Sequence, residues 1–239
     1  MARHEPRHNS FARRLLLILL ATTFVLLGLH LLFQAVNLGV YHQQHGQFYE
    51  LSNRFDFDDE ASVPTWFAQF LYLLIAAAAG LAAYLQTGKQ RRLWTVISFS
   101  ALLFSIDEIA GLHEYVLQTL HVIFFKDAAP GAFANAWLVI APFLLALAAG
   151  FIYLMARSVP RRTLVFFAAA TGTFLFGAVA VDIVASQVYR ETFLNQGLVV
   201  GLEETFELLS LVIVAYAIAD YTESEFGHNI RRAFREARQ

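Results

Sequence analysis

Three carboxylates and an imidazole stand within eight residues of otherwise apolar sequence. In FSIDEIAGLHEY, residues 104–115, Asp107, Glu108, His113 and Glu114 interrupt a run of Ile, Phe, Leu, Val and Ala that extends from Leu93 to Phe125. A second group, GLEETFELLS, supplies Glu203, Glu204 and Glu207. Oxygen ligands with a single imidazole suit Mn, Fe, Ca or Mg better than Zn, whose sites are rich in thiolate or histidine. Two layers of carboxylates have room for a pair of ions about 3.5 to 4 Å apart. The chemistry to expect is therefore divalent-metal binding, with Asp107, Glu108, His113, Glu114, Asp182, Glu203, Glu204 and Glu207 as candidate ligands.

Long apolar segments must position these residues. Of 239 residues, 58% are hydrophobic and 15% charged, against about 25% charged in soluble proteins, and the mean hydropathy is +0.53. Windows long enough to cross a bilayer, about 20 residues at 1.5 Å rise, recur near residues 13–36, 64–86, 93–115, 135–156, 163–187 and 199–220. Lipid offers no partner to an unpaired backbone, and these runs are too long for barrel strands, so they are expected to be helices. The predicted fold is all-α, a six-transmembrane-helix bundle. Residues 1–12 form an N-terminal segment, 13–220 the membrane domain with an outer loop at 37–62, and 221–239 an amphipathic tail. The first run follows Arg13 and Arg14 as a signal peptide would, but it is too long and lacks a small-x-small cleavage site, so an uncleaved anchor is expected. Cysteine is absent, which removes disulfides and thiolate ligands.

Charge predicts the orientation. Fourteen of the 17 Lys and Arg fall in the N-terminus, the connection at Lys89 to Arg92, the connection at Arg157 to Arg162, and the tail; Arg54, Lys126 and Arg190 are the exceptions. By the positive-inside rule both termini are cytoplasmic, as in a multipass protein of a bacterial inner membrane with its acidic groups on the periplasmic side. The partner this implies is the lipid bilayer, whose anionic headgroups a basic inner face suits. A membrane-protein partner or a second copy of the chain is compatible with the composition, and nucleic acid is not implied.

On one continuous helix Asp107 and Glu114 lie about 20° apart, with Glu108 and His113 flanking them. The last helix runs antiparallel to the third. Glu203 and Glu204 are thus expected at the height of His113 and Glu114, with Glu207 about 6 Å deeper, near Asp107. Asp182 and His30 lie in the outer halves of their own helices and can join. An ionised side chain at the bilayer centre costs at least about 2.5 to 3.5 kcal/mol, so each must be protonated, hydrated, paired or bound to a cation. Nearby basic residues are too few to pair them all, which favours a cation. The bland alternative is that Glu203 and Glu204 occupy a first helical turn, where acids suit the macrodipole, that Glu114 sits at the water interface, that His30 and His121 only pack, and that the acidic stretch Asp56 to Glu60 is a solvated loop or a cap.

FDFDDEASVPTWF, SIDEIAGLHE and LEETFEL together resemble an uncharacterised family of bacterial multipass membrane proteins with a D-E-x4-H-E helix, an acidic-then-P-T-W helix entry and a late glutamate-rich helix. The resemblance covers residues 55–210 and implies that these segments belong to one bundle; it implies no activity. In architecture alone the chain is similar to the alkaline ceramidase superfamily of zinc hydrolases. That family uses several histidines, whereas only His113 falls among the acids here.

Three classes of function fit. A metal-dependent enzyme acting on a lipid or other membrane substrate comes first, although the Glu-x-x-His of di-metal bundles is missing. An accessory or structural subunit of a membrane complex fits the 23 Phe. A cation or proton transporter would use intramembrane acids, yet the inner halves LWTVISFSALLF and LSLVIVAYAIA offer few polar groups to continue a path.

Overall fold

The structure, a computed structural model, describes residues 10–40, 47–125, 137–181 and 193–236, and among them every regular element is helical. The elements are α1 (Phe11–Val40), α2 (Gln47–Asn53), α3 (Val63–Leu85), α4 (Gly88–Ala110), α5 (Leu112–Phe125), α6 (Trp137–Ala156), α7 (Arg161–Leu175) and α8 (Phe193–Glu236). A π-helical stretch, Phe176–Val181, continues α7.

Local chemistry sets the helix ends. Ser62 caps α3, its Oγ accepting the Thr65 amide at 3.3 Å, and Pro64 sits in the first turn, where its missing N–H is not needed. At the other end α3 and α4 are separated only by Gln86 and Thr87, with Gly88 at φ 58° making the turn. A connection this short makes the two helices antiparallel neighbours. Small residues then let them approach: Ala76, Ala79, Ala82 and Ala83 are buried, Ser98 Oγ donates to the Ala76 carbonyl at 2.7 Å, and a Cβ at Gly80 would lie 3.3 Å from that hydroxyl oxygen. The small-residue run at 76–80 therefore packs as such runs do in lipid, where close contact replaces the hydrophobic effect.

Helix α8 is the centre, packed against α1, α3, α7 and the π-helical stretch. Its Arg-rich half carries an aromatic and polar knot. Trp94 stacks at 4.8 Å from Tyr221, whose hydroxyl accepts from Gln86 Nε2 at 2.6 Å, and Arg162 donates to the buried Asp220 at 2.9 Å. The outward faces of α1, α3 and α4 are apolar, with Ile18, Val25, Phe70, Leu73, Val96 and Phe99 all exposed. That inverts the soluble pattern. Among the described residues three helices, Phe11–Val36, Val63–Leu85 and Gly88–Ala110, are long and apolar enough to cross a membrane.

Two differences from the expected elements affect the site. The run from Leu93 to Phe125 is two helices: Gly111 adopts φ 55°, ψ 28°, the left-handed conformation that ends a helix, and its N–H closes on the Asp107 carbonyl at 2.9 Å. The shared face expected for Asp107 and Glu114 presupposed an unbroken helix, and Gly111 interrupts that helix between them. The last helix continues past residue 220 to Glu236 without interruption, so no break in the backbone marks off the tail. The expected outer end of the fifth span, with Asp182, lies outside the described residues.

Candidate functional site

The last turn of α4 holds Asp107 and Glu108, and the third and fourth turns of α8 hold Glu203, Glu204 and Glu207. Helix α3 packs against both. Its Tyr72 lies next to Phe104 of α4, 6.0 Å between ring centroids, and within Coulombic reach of Glu108, Glu207, Glu204 and Asp107. The charges that bear most on Glu204 are those of Glu207, Glu108, Glu203 and Asp58; on Glu207 they are Glu203 and Glu108. Carboxylates distant in sequence, from α4, α8 and the loop before α3, are thus within Coulombic reach of one another.

Of the eight residues expected in the site, Asp107, Glu108, Glu203, Glu204 and Glu207 are brought together in this sense. His113 and Glu114 are placed by their backbone in the first turn of α5, beyond Gly111; their side chains, and all of Asp182, lie outside what is described. Among the described residues no three His, Asp or Glu side chains converge closely enough to hold a metal ion.

Sequence reasoning missed Tyr72 and undervalued the loop. Residues 54–62 form a tightly bonded cap: Arg54 accepts the Val63 amide at 2.8 Å through its carbonyl, Asp59 Oδ1 accepts the Ala61 amide at 2.8 Å, and the Asp59 carbonyl accepts from Thr65 Oγ1 at 3.0 Å. Glu60 leans over the break between α4 and α5, and a Cβ at Gly111 would lie 2.8 Å from its Oε1. Glycine there meets two demands, the positive φ and the close carboxylate. The signal in the sequence was the density of acids before a capped helix; which way they turn is tertiary.

His30 anchors this cap. The ring is buried, at 1% exposure, and packs edge-on to the buried Phe57 at 5.1 Å. Nε2 lies 2.9 Å from the Gly197 carbonyl, Nδ1 lies 3.3 Å from the Phe57 amide, and Asp56 Oδ1 is 3.5 Å from Nδ1. Gln34 Nε2 donates to Asp56 Oδ2 at 3.2 Å. Glycines on α8 make room: a Cβ at Gly201 would be 2.9 Å from the imidazole, and one at Gly197 would be 3.1 Å from Gln34.

Residues 15–221 match a family described as a domain of unknown function, DUF8692. The chain belongs to the DUF8692 family. The match runs from within α1 to Tyr221 of α8, so the acids, Tyr72 and the His30 anchor all lie inside the DUF8692 region. No curated protein and no solved structure matches the chain. Membership in DUF8692 carries no activity with it, and the functional reading has to rest on the residues.

Proposed function

We propose that the chain is an integral protein of a bacterial inner membrane with six spans and both termini cytoplasmic, and that its carboxylate cluster faces the periplasm and binds a divalent cation. Mn, Fe, Ca or Mg fit this donor set better than Zn. The observation that carries the reading is the surrounding of Glu204 by the charges of Glu207, Glu108, Glu203 and Asp58, contributed by three separate segments. Like charges gathered in a low-dielectric bundle repel strongly unless a cation or protons offset them. Tyr72 adds a neutral oxygen at the same place. A metal-dependent enzyme working on a lipid or other membrane substrate remains the first use for such a site, ahead of an accessory subunit or a transporter.

A second reading has its own support. Glu203 and Glu207 stand one helical turn apart on the same face of α8, and the charge of Glu203 bears on Glu207, an arrangement in which neighbouring carboxyls can share protons instead of a metal ion. The two separate in one experiment on detergent-purified protein. With a cation bound, elemental analysis finds stoichiometric metal, chelator lowers Tm, and Mn or Ca restores it; a ligand at one hundred times its dissociation constant stabilises by about 2.7 kcal/mol. Glu207→Gln should abolish most of that response. Absence of metal, together with a Glu207→Gln variant more stable than the parent, overturns the cation reading in favour of shared protons.

The orientation is tested separately. A reporter fused after Gln239 or inserted beside Lys89 should report a cytoplasmic location, and one beside Gln44 or Ala132 an external one. An external signal at Lys89 would refute the six-span arrangement.

A further inference from the structure

The His30 anchor has a property that packing alone does not require: its hydrogen bonds fix one protonation state. The Phe57 amide can only donate, so Nδ1 must accept, and the ring's one proton therefore sits on Nε2, donating to the Gly197 carbonyl. The neutral imidazole satisfies both partners and ties α1, the Asp56–Glu60 loop and α8 together at one ring. A second proton has only Nδ1 to occupy. Once there, it deprives the Phe57 amide of its acceptor and turns the ring edge toward Asp56 Oδ1, 3.5 Å away. The loop cannot keep both contacts.

We propose that His30 is a proton-responsive latch, which when neutral holds the Asp56–Glu60 loop closed over the acid-bearing ends of α4 and α8 and when protonated at Nδ1 releases it. The groups facing the ring are few. Asp56 is the charged group from the loop, with Asp58 beyond Phe57; α8 presents Gly197 and Gly201, with Glu203 and Glu204 following along the helix; α1 itself adds the neutral Gln34. Gln34 Oε1 is buried and has no hydrogen-bond partner among the described residues. Because the loop places Glu60 against Gly111 and Asp58 within Coulombic reach of Glu204, its release uncovers the acids and removes one negative charge from beside them. The inference goes beyond the cation reading and needs none of it.

The test is amide hydrogen exchange of residues 54–62 in the full-length protein in detergent with chelator present, corrected for the intrinsic rate. On lowering the pH from about 7.5 to about 5, protection should fall by about tenfold, the effect of one ordinary hydrogen bond on a local opening equilibrium. His30→Gln keeps an N–H for Gly197 and an oxygen for the Phe57 amide but cannot take the second proton, so its loop should stay protected throughout. If His30→Gln does not fold, Asp56→Asn decides, because it withdraws the carboxylate that the second proton turns to and must move the transition to lower pH. A loop whose exchange is indifferent to pH in the parent protein, or a transition that His30→Gln or Asp56→Asn leaves in place, overturns the latch.

Discussion

Gly177→Ala should lower Tm by roughly 6 to 12 °C, the shift expected of about 3 kcal/mol in a chain of this size. A Cβ at Gly177 would stand 2.7 Å from Phe206 Cβ and 3.1 Å from the Glu203 carbonyl oxygen. Both obstacles belong to α8's rigid frame. Neither can rotate out of the way as the tip of a long side chain would, so the π-helical stretch and α8 have to move apart. That separation also strains the edge-to-face contact of Phe176 with Phe206, 4.9 Å between centroids. The backbone being displaced is that of Glu203 and Glu207, so whatever the carboxylate cluster binds should be weakened in the same variant. Gly172→Ala, one turn earlier with nothing within 4 Å of its Cβ, is the control and should be neutral or slightly stabilising, since alanine restricts the unfolded chain more than glycine does. Equal melting temperatures for the two variants would mean that the α7 extension and α8 are not in contact as described.

His30→Ala should be comparably damaging, for a different reason. It strands the buried Phe57 amide without an acceptor, an effect of about 1 to 3 kcal/mol, and leaves a void where the ring met Phe57 and Gly201. The Gly197 carbonyl suffers less, because a mid-helix carbonyl has two lone pairs and keeps its helical bond. Thermal melting should show the loss, and amide exchange should place the disorder in residues 54–62 rather than in α3 and α4. Loss spread evenly over the bundle would instead make His30 an ordinary core residue.

The parts of this arrangement that were legible in the sequence are those decided by local rules. That the long apolar runs are helices follows from the backbone's need for partners in lipid, and among the described residues every regular element is helical. What escaped was tertiary. Glycine inside an apolar run reads as tolerated helix, and only the approach of Glu60, from a loop some fifty residues earlier, distinguishes Gly111 from the glycines that stay helical. Tyr72 looked like one more apolar residue of α3 because its hydroxyl acquires meaning only when two other helices bring acids to it. His30 was read as a packing residue, which its burial supports; its hydrogen bonds to a loop amide and a helix carbonyl could not be seen in a run of leucines. The continuation of α8 was hidden because hydropathy stops at the bilayer edge, whereas Glu, Arg and Ala remain good helix formers beyond it.

That continuation has a mechanical meaning. Helix α8 holds 44 residues from Phe193 to Glu236, a rod of about 66 Å at 1.5 Å per residue, roughly twice the hydrocarbon thickness of a bilayer. From Glu204 to the end of the rod is about 48 Å with no proline along the way, and sharp bends in helices need such an interruption. One continuous rod therefore holds the carboxylates and the Arg162–Asp220 contact in a fixed rotational register, like two keys cut on a single shaft.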